Sequence, residues 1–323
     1  MLRHGAALLL AALALLCCAM AEECACFRME SRVLAGLRGR EMSVVFERTR
    51  ASGDGVLALL DEDGAELGKR RMQSQDRLGS ISFRVPDAAP DRQTLRLVFR
   101  SGHQEDVQGE YLLAAASPCQ NGVCRGDPRA KKIALTFDSA YGMGRLDDLL
   151  RVLDQYHVKC TFFLQGDFVE AFPEATALIH EMGHEIGNHT MRHPDDIRTL
   201  GNDAIFEEIA RCSEAIQAAT GQSVTLYRPP SGYSDYRDRA IAKALGCDTI
   251  LWTADSLDGF LDTSRPEDVW NALVRAAQPG AILLLHVYGY YTPELLAEYL
   301  PLMQEKGYSF VTVSDLLGDA PRP

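Results

Sequence analysis

From about residue 131 onward, the chain alternates short apolar runs with amphipathic segments, and this alternation constrains the fold more than any other feature. Residues 133–137 form a largely apolar run of the kind found in buried strands, and residues 146–156 carry leucines at helical spacing. Further strands are expected at 160–164, 224–227, 249–252, 282–285 and 308–313, and further helices at 168–182, 205–219, 236–245, 266–277 and 293–304. About seven such units predict a parallel sheet closed as a barrel.

Residues 22–117 have a different pattern, in which short β-branched or apolar runs are separated by turn residues. The expected strands lie at 43–46, 56–60, 80–85 and 94–99. Several strands at this spacing predict a small antiparallel sandwich. It contains no chemical constellation, so a plain accessory domain is favoured over a carbohydrate-binding or spacer role. Residues 118–130, which are polar and contain Gly and Pro, are the expected linker to a second domain at 131–323.

Residues 1–21 have the pattern of a secretory signal peptide. Arg3 precedes an apolar run over residues 6–20, and Ala19-Met20-Ala21 is a small-x-small cleavage site. The run is shorter than the roughly 20 apolar residues of a transmembrane helix, so no stable membrane span is expected in the mature chain. The sequence therefore predicts a protein that is secreted or held in the cell envelope.

Charge and cysteine content narrow the class of protein further. The formal net charge of −12 argues against nucleic acid as a partner, because phosphate binding needs a basic face. Export permits disulfides, so Cys119 and Cys124 could close a small loop and Cys24 with Cys26 could pair elsewhere. Three more cysteines lie in apolar contexts and are expected in the core: Cys160, Cys212 and Cys247.

Polar residues follow the expected strands of the second half. Those that come at or soon after a strand end are Asp138, Arg228, Asp255, Asp258 and His286. Singly, each has an ordinary explanation, such as a helix cap or a surface ion pair. Because the active sites of such barrels lie at the carboxyl ends of the strands, the five together indicate a catalytic site.

His189 and His193 are four residues apart in the segment HEIGNHTMRHP. One helical turn would place both on a single face, where two imidazoles can bind one divalent metal, most often zinc. Such pairs also occur by chance in solvated helices, so this segment alone leaves both interpretations open.

Five segments in the order TFDSAYG, HTMRHP, RPPSG, DSLDG and LLH carry a specific resemblance. They resemble the motifs of the NodB-homology polysaccharide deacetylases of the carbohydrate esterase family 4 type, which remove N-acetyl groups from chitin-like and peptidoglycan glycans. KCTFFLQG and GHEIGNHT are also similar to that family, and the resemblance spans residues 133–317. It implies a deformed (β/α) barrel of about seven strands with a metal at its mouth.

The resemblance implies a metal site built on three residues. His189 and His193 would be the histidine ligands, and Ser139 stands where the family usually has a second aspartate as the third ligand. The metal would be zinc, with cobalt, nickel or manganese as alternatives. A serine hydroxyl is a weak neutral ligand, so the site would lose a negative charge.

The resemblance also implies an acid–base pair. Asp138 would be the general base, oriented by Arg228, and His286 the general acid, with Asp258 setting its protonation. This division of roles is chemically reasonable, because an amide is a poor electrophile and its amine needs a proton in order to leave.

Two further departures from the family concern the pocket for the acetyl group. The aromatic residue usual in the third motif is Ser231 here, and the tryptophan usual after Asp258 is Gly259. The residues expected to fill that space are Tyr141, Tyr233 or Phe260.

The sequence thus favours an exported, metal-dependent N-deacetylase whose partner is a glycan such as peptidoglycan or chitin oligomers. The alternative is a NodB-like glycan-binding protein that is catalytically weakened or inactive through Ser139. Retention of Asp138, both histidines and His286 argues against that alternative, since a pure binder has no use for an acid–base pair. A purely structural envelope protein would contain no metal.

Overall fold

The computed structural model describes residues 25–118, 121–139, 142–260 and 265–318. These residues form two compact units. The first comprises the described residues before Asn121 together with Gly201–Asp203, and the second comprises Asn121–Leu200 and the described residues from Ala204 onward. The expected signal peptide at 1–21 lies outside the described residues, and the linker at 118–130 stays a prediction.

The first unit is a sandwich of two sheets. Its strands are β1 Phe27–Met29, β2 Val33–Leu37, β3 Glu41–Arg48, β4 Gly55–Leu60, β5 Glu66–Met72, β6 Leu78–Arg84, β7 Arg92–Ser101 and β8 Gln104–Ala116. One sheet has the order β1-β3-β6 and the other β2-β8-β7-β4-β5, and a single apolar core draws on both. The prediction of an antiparallel β-rich unit is confirmed, although β2 pairs with β8 in parallel.

The second unit alternates strands and helices, as expected. Its strands are β9 Lys132–Asp138, β10 Thr161–Leu164, β11 Glu185–Asn188, β12 Leu226–Tyr227, β13 Asp248–Thr249, β14 Ala254–Asp255, β15 Ala281–His286 and β16 Ser309–Phe310. Its helices are α1 Leu146–Gln155, α2 Gly166–Ala171, α3 Pro173–Glu181, α4 Asn202–Thr220, α5 Tyr236–Ala244, α6 Pro266–Ala276, α7 Thr292–Glu305 and α8 Val313–Gly318.

The strands of the second unit form one parallel sheet of the order β13-β12-β11-β10-β9-β15-β14, with β16 also paired to β9. Within the described residues β13 and β14 do not pair, so the curved sheet is an open, deformed barrel. The barrel prediction is thereby confirmed. Because all these strands run the same way, their carboxyl ends share one rim, and the long buried strand β9 lies near its middle.

Several details differ from the sequence prediction, which contained no strand corresponding to β11. The single helix expected at 168–182 is divided into α2 and α3, because Pro173 lacks an N–H and disfavours helical geometry at Phe172. The strand expected at 249–252 stops at Thr249, and β14 follows it separately. The last expected strand is limited to β16, after which the chain enters α8.

The cysteines expected in the core are buried: Cys160, Cys212 and Cys247. Cys24 and Cys119, which the proposed disulfides require, lie outside the described residues. None of the helices in the described part of the chain is long and apolar enough to cross a membrane.

Gly187 in β11 leaves room for a neighbouring aromatic ring. Its register partner in β10 is Phe163, and a Cβ atom on Gly187 would lie 2.6 Å from two atoms of that ring. Gly187→Ala should therefore lower the free energy of unfolding by about 1–3 kcal/mol through overpacking. The only two tryptophans, Trp252 and Trp270, lie in this unit, so urea unfolding followed by tryptophan fluorescence reports on it.

The matched control for this change is Gly318→Ala, since nothing lies within 4 Å of a Cβ at Gly318. Equal stability of the two variants would contradict the packing role assigned to Gly187.

Candidate active site

A buried ion pair lies at the rim of the barrel. Asp138 is the last residue of β9, and Arg228 directly follows β12. Arg228 is fully buried, and its Nη1 donates to Asp138 Oδ1 at 2.7 Å and to Thr136 Oγ1 at 2.8 Å. Its guanidinium also packs over the ring of Phe163, 4.0 Å from the ring centroid. A buried charge needs such complete pairing, because an unpaired one costs several kcal/mol.

The remaining guanidinium nitrogens of Arg228 reach main-chain carbonyls. Nε donates to Ile250 O at 3.4 Å and Nη2 donates to Leu251 O at 3.3 Å. Each of the three nitrogens thus has an acceptor, and the side chain is fixed in one position. The Arg228–Asp138 contact therefore positions the carboxylate and leaves its second oxygen, Oδ2, available.

His189 directly follows β11 and faces that second oxygen. Its Nδ1 lies 2.9 Å from Arg228 O, and because a carbonyl only accepts, Nδ1 carries the proton. Burial lowers the pKa of His189 to about 4, so the ring is neutral near pH 7 and Nε2 keeps its lone pair. Nε2 lies 3.5 Å from Asp138 Oδ2. Two electron-pair donors at this distance suit a cation or a proton held between them.

His193 is brought to His189 by a loop. The prediction that one helical turn stacks the two histidines is wrong, because residues 189–196 contain no helix and both Thr190 and His193 have positive φ. Asn188 Oδ1 accepts from Thr190 N–H at 2.8 Å, and Thr190 Oγ1 accepts from His193 N–H at 3.1 Å. The two imidazole centroids are nevertheless 5.0 Å apart. Burial lowers the pKa of His193 as well.

Ser139 is fully buried directly after Asp138. Its Oγ accepts from Gln165 N–H at 3.1 Å, and its own N–H donates to Phe163 O at 3.1 Å. The hydroxyl thus has a structural partner on the neighbouring segment. An aspartate at this position would add a negative charge that the serine does not supply.

A second paired group lies on the adjacent strand. His286 ends β15 and is the register partner of Asp138. Its Nδ1 lies 2.8 Å from Asp258 Oδ1, and its main-chain N–H donates to Asp258 Oδ2 at 3.1 Å. Ser256 Oγ and Thr292 Oγ1 also donate to this carboxylate, at 2.8 and 2.6 Å. Asp258 therefore fixes the position of the ring and leaves His286 Nε2 as the nitrogen that can exchange a proton.

The environment of His286 favours its protonated form. Burial lowers the pKa of the ring, but the hydrogen bond and charge of Asp258, with the charge of Asp138, raise it, and the net pKa lies above its ordinary value of 6.5. His286 and His189 are thus shifted in opposite directions. One can donate a proton near neutral pH, and the other offers a lone pair.

The structure brings together Asp138, Arg228, His189 and His193 on one side of the rim and places the His286–Asp258 pair at the adjacent strand end. Asp255, also noted in the sequence, instead accepts from Leu257 N–H at 2.7 Å and shapes the loop before Asp258. Sequence reasoning missed Thr136 and Thr292, which support the two carboxylates. The sequence did contain a signal for Thr136, which is a polar residue within an otherwise apolar strand and lies two positions before Asp138.

Two glycines lie so close to the His286–Asp258 pair that neither position has room for a side chain. A Cβ atom on Gly259 would lie 2.7 Å from His286 Cε1 and 2.8 Å from Nδ1. A Cβ atom on Gly289 would lie 2.3 Å from Asp258 Oδ2. Neither position has a positive φ, so side-chain packing alone requires glycine there.

Comparisons with known proteins identify the family. A family model described as polysaccharide deacetylase matches residues 125–250. Peptidoglycan-N-acetylmuramic acid deacetylase PdaA of Bacillus subtilis is 33% identical over 195 residues, which cover 59% of this chain and 73% of the relative. A peptidoglycan-N-acetylglucosamine deacetylase of Bacillus cereus is 34% identical over 190 residues, which cover 58% and 88%. The chain belongs to the polysaccharide deacetylase family.

A solved structure adds a contrast within this family. A carbohydrate esterase family 4 pseudoenzyme from Bacillus anthracis is similar with a TM-score of 0.59 at 27% identity, covering 71% of this chain and 85% of that chain. A mutant of that pseudoenzyme, with the same TM-score, is described as having restored enzymatic activity. The polysaccharide deacetylase family thus includes both active and inactive proteins, and membership alone does not decide between them.

Deacetylases of carbohydrate esterase family 4 are generally metal-dependent, and the histidine pair fits a metal only in part. Within the described residues no three His, Cys, Asp or Glu side chains form a group that could hold a metal ion. His189 and His193 are neutral, and the Nε2 atom of His189 carries a lone pair, as metal binding requires. They fit two positions around a divalent cation. Ser139 adds no charge, so this family member has a weaker donor set than two histidines and a carboxylate.

The pocket residues expected to replace the family's aromatic groups have varied outcomes. Tyr141 lies outside the described residues. Tyr233 packs against Arg198, and Phe260 is 59% exposed. Ser231 has a φ of 54°, in the left-handed region. That Tyr233 or Phe260 lines an acetyl pocket stays a prediction.

Because Gly259 has no side chain, the ring of His286 has room to lie against Asp258. We expect Gly259→Ala to displace the ring from Asp258 and so to lower the pKa of His286, because the aspartate contact is what raises it. The measurement is an NMR titration of the imidazole signals, assigned with His286→Gln. Gly318→Ala is the control that should leave this pKa unchanged, and an unshifted pKa in Gly259→Ala would contradict the packing argument.

Proposed function

We propose that this protein is an exported, metal-dependent hydrolase that removes N-acetyl groups from an amino-sugar polymer such as peptidoglycan or chitin oligomers. The observation that carries the proposal is the pairing at adjacent strand ends of a carboxylate fixed by Arg228 and a histidine fixed by Asp258. Hydrolysis of an amide needs a base and an acid on opposite sides of the reacting carbon, and the raised pKa of His286 suits the role of the acid. Family membership and the names of the relatives support the same reaction.

His189 and His193 would hold the metal, with Ser139 beside them. When bound, a divalent cation such as zinc would polarise the acetyl carbonyl and lower the pKa of water. The neutral state of both rings near pH 7 keeps their lone pairs available. Main-chain contacts around Thr190 and Asn188 hold the loop, so the histidines need little rearrangement to bind.

Asp138 would take the proton from the attacking water at Oδ2, since Oδ1 is occupied by Arg228. The hydrogen bond from Arg228 Nη1 to Oδ1 fixes the orientation of this carboxyl group. His286 would deliver a proton from Nε2 to the amide nitrogen, so that the C–N bond breaks and the amine leaves. Asp258 holds the opposite nitrogen of that ring and stabilises its positive charge.

A weakened or inactive glycan-binding protein is the second candidate, and Ser139 favours it. The serine supplies no negative charge, and its oxygen already accepts from Gln165 N–H at 3.1 Å. The resemblance to a pseudoenzyme with a TM-score of 0.59 adds to this alternative. Acetate release from N-acetylglucosamine oligomers and from peptidoglycan, with and without a chelator, separates the two candidates.

Asp138→Asn should reduce acetate release by roughly 10²–10⁴-fold, because the amide cannot accept the proton from water. Asn Oδ1 can still accept from Arg228, so the fold should persist, which circular dichroism and tryptophan fluorescence check. Metal content should also persist. A fully active Asp138→Asn variant would place the base elsewhere.

Ser139→Asp should tighten zinc binding, because it restores a charged oxygen at the position where the family usually has its third ligand. Isothermal titration with zinc measures the affinity, and His189→Ala is the matched variant that should abolish binding. An unchanged affinity in Ser139→Asp would mean that this position does not face the metal. Unchanged zinc content in His189→Ala would remove the histidine pair from the site.

A further inference from the structure

A short stretch of chain before β9 lies on the open side of the barrel. Residues 122–126, which we call the strap, belong to the second unit. Val123 forms a β-bridge with Ile250, directly after β13, and Arg125 forms one with Ala281, the first residue of β15. Within the described part of the chain β13 and β14 do not pair. The strap therefore joins the two sides of the sheet that these strands leave apart.

The hydroxyl of Thr253 ties the strap to β15. Its Oγ1 donates to Cys124 O at 2.6 Å and accepts from Ile282 N–H at 3.0 Å. A second contact lies next to it, where Gly126 N–H donates to Gly280 O at 2.8 Å. The hydroxyl of Thr253 thus has one partner in the strap and one in the strand that ends at the candidate acid.

One peptide group connects the strap directly to Arg228. The N–H of Leu251 donates to Val123 O at 2.7 Å. The carbonyl of the same peptide group, Ile250 O, accepts from Arg228 Nε at 3.4 Å. A trans peptide group is planar, and its N–H and carbonyl point in opposite directions. The contact with Val123 therefore sets the direction of the carbonyl that faces the guanidinium.

The preceding peptide group has the same arrangement. Its carbonyl, Thr249 O, accepts from Val123 N–H at 2.8 Å, and its N–H, on Ile250, donates to Tyr227 O at 2.7 Å. Tyr227 directly precedes Arg228 in the chain. The Val123 side chain also packs against the buried cluster that contains Ile250. Two successive peptide groups are thus held between the strap and the segment that carries Arg228.

We propose that the strap positions Arg228, and through it Asp138, and that Thr253 is a positioning residue because it ties the strap to β15. The inference rests on the proposed function for its effect on turnover, but not for its effect on the Arg228 side chain. A loosened strap would let the carbonyls that accept from the guanidinium move. A small displacement of a group that orients a catalytic residue can lower turnover many-fold.

The test compares Thr253→Val with the wild-type full chain. Valine matches threonine in shape but lacks the hydroxyl, so Cys124 O loses its donor. Exchange of the Leu251 N–H with deuterium should become faster by roughly five- to tenfold, because one hydrogen bond no longer holds the strap. The NMR signal of Arg228 Nε–H should shift. The kcat for acetate release should fall on the order of tenfold with KM unchanged.

Thr220→Val is the matched control. Thr220 Oγ1 also donates to a carbonyl, Ile216 O at 2.8 Å, and accepts from an N–H, that of Gln222 at 3.2 Å, but it lies at the end of α4. This variant should leave the exchange of Leu251 and the Arg228 signal unchanged. Thr253→Ser keeps the hydroxyl and should keep both readouts close to those of the wild type.

Arg125→Ala is a second variant of the strap. The Arg125 side chain is exposed, and its Nη2 donates to Gln278 Oε1 at 2.8 Å. Its removal leaves the core intact, so this variant should fold even if Thr253→Val does not. The exchange of Leu251 and the Arg228 signal should change in the same direction as in Thr253→Val, by a smaller amount.

Two results would overturn the inference. Unchanged exchange at Leu251 in Thr253→Val would show that the hydroxyl does not hold the strap. Faster exchange with an unshifted Arg228 signal would show that the strap does not position Arg228. If the wild type releases no acetate while both readouts change as expected, the positioning role stands and the hydrolase proposal fails. If acetate is released and neither readout changes, the positioning role fails and the hydrolase proposal stands.

Discussion

The buried ion pair of Asp138 and Arg228 is the contact on which the candidate site depends. It joins the end of β9 to the segment after β12, across the two strands that separate them in the sheet. Two charges are tolerated out of water because each guanidinium nitrogen has an acceptor and Phe163 covers the group. The same contact presents the Arg228 carbonyl to His189, which fixes the tautomer of that ring. One ion pair thus orients both a candidate base and a candidate metal ligand.

Asp258 and His286 form a pair with a different environment. The carboxylate is shared among the histidine ring, a main-chain N–H and the hydroxyls of Ser256 and Thr292. The hydrogen bond and charge of Asp258 raise the pKa of the His286 ring beside it. Asp138 and His286 end neighbouring strands, so the sheet itself places a carboxyl group and a histidine of raised pKa side by side.

Much of this arrangement could be predicted from the sequence. Apolar runs indicate the buried strands, and the carboxyl ends of parallel strands lie at one rim, where the residues that follow them come together. Asp138 and His286 belong to that part. The path from His189 to His193 could not be predicted, because distant side chains set it: Arg192 N–H donates to Glu208 of α4 at 2.8 Å. The ends of β12 and β13 could not be predicted either, because a strand of two residues is too short to show an alternating or apolar pattern. The structural partner of Ser139 is likewise a long-range contact to Gln165.

The glycines that surround the His286–Asp258 pair have a structural consequence. At Gly259 and Gly289 even one added methyl group would overlap the dyad. In this chain a side chain can be added at either position only if the dyad shifts. Because the family to which the motifs are similar usually has a tryptophan at the position of Gly259, the dyad of such proteins must lie differently against that residue than it does here.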